Sequence, residues 1–113
     1  MNITELTLNA NQICGNADGT AIALAIAPGY KYEDGKRTDE ITHMKVNTVF
    51  VDNSFEKMNV KVADLKPILT QEIIETAGGK KKVKFKNLTG RIYRTGNGDY
   101  AISASADAIE VLQ

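Results

Sequence analysis

Cys14 and His43 are the only cysteine and the only histidine in the chain. A nucleophile needs a base within hydrogen-bond reach and a third group to orient that base. The sequence arranges no such partner around either residue, so structural roles for both and no enzymatic activity are expected. Zinc fails on the same count, because two N or S donors cannot complete a tetrahedral site. Glu33, Asp34, Asp39 and Glu40 offer oxygen ligands, but their spacing is not that of an EF-hand loop. A solvated acidic loop is the expectation there, with no metal and no cofactor. Gly78-Gly79-Lys80-Lys81 follows a helical pattern and precedes a strand, the reverse of a phosphate-binding loop, and lacks the Ser or Thr that would hold magnesium. Gly96-Asn97-Gly98 has no helix behind it to receive a phosphate. Both read as turns.

What the residue types do support is a binding surface. Lys80 to Arg94 holds seven of the fourteen Lys and Arg, and no acid lies between Glu75 and Asp99. The other seven cations face all fourteen acids, so a chain of zero net charge is internally divided. A surface potential depends on where charges sit, and zero net charge does not exclude a local polyanion-binding patch. Single-stranded nucleic acid needs cations along the phosphates and flat side chains under the bases, each stacked base contributing about 1–3 kcal/mol. Tyr30 and Tyr32 lie among Lys31, Lys36 and Arg37; Tyr93 lies between Arg91 and Arg94; Tyr100 follows the Gly96–Gly98 turn. Phe50 and Phe85 sit on alternating apolar faces and read as core. The competing reading of Lys82, Lys84 and Lys86 is a strand edge guarded by lysines against aggregation.

These side chains must be positioned by a small fold. The 113 residues, 42% hydrophobic and 25% charged, suit one globular domain spanning 1–113. One cysteine permits no intramolecular disulfide. No apolar run reaches the ~18 residues of a membrane span, and the start of the chain lacks a signal-peptide pattern, so a cytoplasmic location without membrane association is expected. Asn87-Leu88-Thr89 is then a glycosylation acceptor in form only.

Along the chain, Ile3 to Ile13 alternates weakly and reads as a first strand, followed by a hairpin signal at Asn16-Ala17-Asp18-Gly19. Thr20 to Ala27 is a strand with Ile22, Leu24 and Ile26 on one face and alanines on the other. Tyr30 to Thr42 is polar with Asp34-Gly35 at its middle, the mark of a projecting hairpin finger. His43 to Asp52 alternates Met44, Val46, Thr48 and Phe50 against Lys45, Asn47, Val49 and Val51, the period of a half-buried strand. Met58 to Val62 is a further strand. A helix is expected from an Asp64 N-cap, with Pro67 in its first turn, a stripe of Leu65, Ile68, Leu69 and Ile73, and a stop at Gly78-Gly79. Lys82 to Asn87 is a strand, continued through Arg94 with a bend at Gly90. Tyr100 to Ala104 is another, and Ala108 to Leu112 is a strand or a short helix. One helix between the third and fourth strands is the order of a five-stranded antiparallel oligonucleotide/oligosaccharide-binding (OB) barrel; an open α+β sheet with the helix on one face fits as well.

Two stretches carry a family likeness: Tyr32-Glu33-Asp34-Gly35-Lys36-Arg37-Thr38-Asp39-Glu40, and Leu88-Thr89-Gly90-Arg91-Ile92-Tyr93 through Ala101-Ile102-Ser103-Ala104. In these the chain resembles the small OB-fold single-stranded DNA-binding proteins of phages and conjugative elements. The resemblance implies sequence-tolerant, non-catalytic binding of single-stranded DNA in the replication or transfer of a mobile element. It implies a groove formed by Tyr30, Tyr32, Lys36, Arg37, Lys84, Lys86, Arg91, Tyr93 and Arg94, with the late cations and the distant tyrosine finger sharing one concave face. Unlike housekeeping proteins of this kind, the chain closes on Ile109-Glu110-Val111-Leu112-Gln113 without an acidic tail, so this apolar segment is expected in the fold or at a homodimer interface. The alternative function is an accessory or inhibitory interaction module of a phage or plasmid, its acidic finger and basic strand steering a charged protein partner. An RNA-binding barrel of the cold-shock type is a third reading.

Overall fold

The computed structural model describes residues 6–66 and 68–112. A two-residue strand β1 (Thr7–Leu8) leads into helix α1 (Ala10–Cys14). Asn9 starts that helix with a reciprocal capping box: its side chain accepts from the Gln12 N–H, and the Gln12 side chain accepts from the Asn9 N–H. The expected first strand over Ile3–Ile13 is thus corrected to a short strand and a helix, its first residues lying outside those described. Weak alternation lost to a strong local cap. Gly15 ends α1 in the left-handed region, where a Cβ would lie 2.2 Å from the Asp52 carbonyl oxygen.

Strands β2 (Thr20–Glu33) and β3 (Lys36–Phe50) form a long hairpin closed at Asp34-Gly35, both at positive φ as a primed turn demands. The polar finger is therefore the tip of two continuous strands rather than a loop. In β3, Val46, Thr48 and Phe50 are buried while Lys45 and Asn47 face outward. The buried Thr48 hydroxyl is satisfied by the Val46 carbonyl at 2.9 Å. Strand β4 (Glu56–Val62) repeats the pattern, with Val60 and Val62 inward and Lys57, Asn59 and Lys61 outward.

Helix α2 (Gln71–Thr76) lies between β4 and strand β5 (Lys81–Lys86). Its stop at Gly78-Gly79 is as expected, both glycines at φ near 90°. Its start is corrected: Thr70, not Asp64, is the N-cap, accepting from the Ile73 N–H. The Asp64 carboxylate instead accepts from the Lys66 N–H and closes a local turn, and Leu65 and Ile68 of the expected stripe are exposed. Pro67 lies outside the described residues. Ile74 of α2 and Leu69 just before it join Ile13 and Cys14 of α1 in the core.

Strands β6 (Thr89–Arg94), β7 (Tyr100–Ala106) and β8 (Ala108–Val111) complete the fold, so the last segment resolves as a strand with Ile109 buried. The mainly-β expectation holds, but the count differs. Among the described residues, one sheet contains eight strands in the order β1-β6-β7-β4-β3-β2-β5-β8, and two helices accompany it. Neighbours are antiparallel except β4 and β7, which are parallel. The strand expected to run from Lys82 through Arg94 is broken by a bend, and a second bend falls between the segments expected at Tyr100–Ala104 and Ala108–Leu112. Asn87, at φ 54°, turns β5 into β6, and Asp107 separates β7 from β8. The bends are tied together: Asn87 Nδ2 donates to Asp107 Oδ2 at 2.8 Å, and the Asp107 N–H donates to the Lys86 carbonyl at 2.9 Å. The bend expected at Gly90 is thus at Asn87. Gly90 serves a close approach instead, since a Cβ there would lie 2.9 Å from Ile13 Cδ1.

In β2 the alanines, not the isoleucines, face the core at first: Ala21 and Ala23 are buried beside half-exposed Ile22 and Leu24. A register slip between Ala23 and Ala25 then turns Ile26 back against the core.

Candidate nucleic-acid interface

The outward face of β3, β4, β7 and β6 gathers polar and cationic side chains in register. Lys45 pairs with Lys61, Asn47 with Asn59, and Val49 with Lys57. Across the parallel junction Lys61 is opposite Ser105, which is opposite Thr89 on β6. Arg91 faces Ser103, and Tyr93 faces the small Ala101. A period of two puts Thr89, Arg91 and Tyr93 on this face of β6. Directly opposed lysines repel each other. Among the described residues no acid lies within 4.0 Å of Lys45, Lys57, Lys61 or Arg91, since the ion pairs there are Lys31–Glu33 (3.2 Å) and Lys31–Glu40 (3.8 Å). An unneutralised row of this kind raises the local positive potential.

Three depressions run along the β4–β7 junction, where Met58, Tyr100 and Ile102 of the inward-facing rows border outward-facing Lys61, Tyr93 and Ser103, and they share lining residues. The central one, about 630 Å³, is lined by Met58, Asn59, Lys61, Tyr93, Ile102 and Ser103. Lys61 also lines a neighbour containing Thr42, His43, Thr89, Ser105 and Asp107. Met58 and Ile102 also line the third, which adds Lys57, Glu56 and Tyr100. Together they make one trough. Tyr93, 47% exposed, offers its ring in the middle of it.

His43 stands at one end of the trough. Its Nδ1 is 2.9 Å from the Thr42 hydroxyl, while Nε2 is buried against Gly29 without a partner among the described residues. A Cβ on Gly29 would lie 2.1 Å from that nitrogen, so the glycine makes room for the ring. Partial burial, then the Lys61 and Lys45 ammoniums, hold the imidazole below its usual range. Cys14 is fully buried in α1; burial and the Asp52 carboxylate push its thiol up to about 11, which leaves it protonated at neutral pH and poor as a nucleophile.

The nine residues expected to form one groove fall into separate groups. Tyr93 lines the trough, and Arg91 lies beside it on the same face of β6. Arg94 is on the opposite face of β6, paired with Tyr100. Tyr30, Tyr32, Lys36 and Arg37 are together on the finger, where the Arg37 guanidinium lies 4.8 Å from the centre of the Tyr30 ring and Tyr32 pairs with Arg37. Lys84 and Lys86 are on β5, between β2 and β8 in the strand order and far from β6 in it. Lys84 is opposite Thr20 on one side and Glu110 on the other.

Comparison with models of protein families, with curated proteins and with solved structures finds no match. The geometry stands by itself.

Lys45, Lys57, Lys61, Asn47 and Asn59 escaped the sequence reading. Their signal was present. Lys57-Met58-Asn59-Val60-Lys61-Val62 alternates as cleanly as the lysine strand that drew attention. It was masked by the charge count, which favours a dense run over cations spread across strands that only the fold brings together.

Proposed function

We propose that this chain binds single-stranded DNA, without strong sequence preference and without catalysis, along the β3–β4–β7–β6 trough. The observation that carries the reading is Tyr93, open to solvent between Asn59, Lys61 and Ser103 and flanked by Arg91, which has no acid within 4.0 Å among the described residues. Such a place stacks a base while cations hold the phosphates on either side. The role in replication or transfer of a mobile element belongs to the same proposal and rests on the family likeness alone.

The fold part of the proposal is a five-stranded OB barrel. Its support is the pairing: β2 with β3, β3 with β4, β4 parallel to β7, and β5 antiparallel to β2. If the bent ribbon β5–β6 and its partner β7–β8 each count as one strand, the ladder returns on itself with α2 between the third and fourth strands. Ligand then lies over the second and third strands, between the finger and the Thr95–Asp99 turn.

The test is fluorescence anisotropy of a labelled oligo-dT at two salt concentrations. Four cations (Lys45, Lys57, Lys61 and Arg91) give a slope of log K on log salt of about −3, at −0.7 per phosphate contact. Tyr93→Ala is expected to weaken binding by about 1–3 kcal/mol at unchanged slope, and Lys61→Ala to flatten the slope by about 0.7. Absence of binding at low salt ends the proposal.

A further inference from the structure

Strand β5 carries cations that the trough leaves unused. Val83 and Phe85 are buried, so Lys82, Lys84 and Lys86 lie on the outward side of this strand. None of the three has an acid within 4.0 Å among the described residues. The nearest by register is Glu110, opposite Lys84, and Asp52 lines the same shallow pocket as Lys82 while accepting from Asn16 Nδ2 at 2.9 Å.

The strand pairings connect this strip to the trough. Lys57 is opposite Val49, Val49 is opposite Ile22, and Ile22 is opposite Lys82. All four alternate with buried neighbours or continue an outward row, so they form one line across four adjacent strands. With ~4.8 Å between strands, Lys57 and Lys82 are about 14 Å apart along the sheet. Cations stand at both ends of the line, and half-buried Ile22 and Val49 form an apolar ridge between them, with exposed Val51 at its side.

We propose that DNA leaving the trough at Lys57 crosses the Ile22–Val49 ridge and continues along Lys82, Lys84 and Lys86. The inference rests on the trough reading and extends it: the strip is a second contact for the same strand. It has no exposed aromatic residue, so it holds phosphates and stacks no bases. Its contribution is therefore a matter of length and salt. A strand short enough to fill the trough never reaches the strip, and a longer one does.

The experiment compares labelled oligo-dT of about eight and about 24 nucleotides, lengths within and beyond the ~4–16 nucleotides one such domain covers. The variant carries Lys82→Gln, Lys84→Gln and Lys86→Gln together, all surface changes, with circular dichroism to confirm the native fold. The expected result is unchanged affinity for the short oligomer, a loss of about tenfold or more for the long one, and a long-oligomer salt slope flatter by about 2. Equal losses at both lengths would overturn the inference by putting the strip inside the primary site. No loss at either length would overturn it too. A native chain that binds neither oligomer sinks the trough as well; one that binds both, with the variant unaffected, sinks the strip alone.

Discussion

His43 couples the trough to pH through a single ring. The folded chain holds it neutral, with Nε2 against Gly29 and two lysines nearby, so its pKa lies below the ordinary 6.5. The unfolded chain therefore takes up a proton first as pH falls. Its contribution to stability is complete above 6.5 and is lost as pH drops from 6.5 through the folded value. A bound polyanion acts in the opposite direction, because phosphate beside the ring favours the imidazolium. Over the same pH window the free protein should lose stability while its affinity for oligo-dT rises. Urea midpoints and anisotropy between pH 5 and 7.5 read the two trends. In His43→Gln both pH dependences should flatten; an unaltered affinity profile in that variant would place the ring outside the contact.

At the scale of elements, the bends decide what the strands can present. Asn87 sits at φ 54°, a region that costs most L-residues about 1–2 kcal/mol and that Asn tolerates. Its side chain also ties the two bends through Asp107. Asn87→Ala should lose both, about 1.5–3 kcal/mol in urea unfolding, whereas Asn87→Gly keeps the backbone freedom and loses only the hydrogen bond, about 0.5–1.5 kcal/mol. Equal losses in the two variants would mean that backbone conformation contributes nothing there. The same features show why the sequence was legible in parts. The Asp34-Gly35 turn, the alternation of Met44 to Phe50 and the Gly78-Gly79 stop are local signals, and each element stands where its signal lies. Asn87 broke a strand that read as continuous through Arg94, because a residue tolerated at positive φ leaves no mark unless the fold uses it. The alanines of β2 pointed inward because Phe50 and Phe85, distant in sequence, supply the bulk of that core. Half of the site failed for a similar reason. Arg91 and Tyr93 could be found from a cation beside an aromatic ring. Lys45 and Lys61 are sixteen residues apart and become neighbours only through a β3–β4 register that tertiary packing sets.

On the scale of the whole molecule, composition alone gives no affinity for a polyanion, since fourteen cations are matched by fourteen acids. On the proposed reading, attraction arises when folding sorts them: Lys45, Lys57, Lys61 and Arg91 stand along one face with no acid within 4.0 Å among the described residues, while Lys31 engages Glu33 and Glu40 at the finger. The unfolded chain keeps the basic Lys80–Arg94 stretch but not the row of Lys45, Lys57, Lys61 and Arg91 that only the fold assembles, and should bind DNA more weakly than the folded chain at physiological salt. Binding and folding are then linked: a ligand that prefers the folded state stabilises it by RT ln(1 + [L]/Kd), about 2.7 kcal/mol at one hundred times Kd. For a domain of this size that is a rise of about 10 °C in Tm. Thermal unfolding followed by circular dichroism, with and without excess oligo-dT, measures it. The rise should shrink in Lys61→Ala and fade as salt is added, because the same phosphate contacts underlie both effects. A Tm that oligo-dT leaves unmoved, at a concentration where anisotropy shows saturation, would mean that the oligomer holds folded and unfolded chains alike, and that the sorting of charge by the fold is not what draws it.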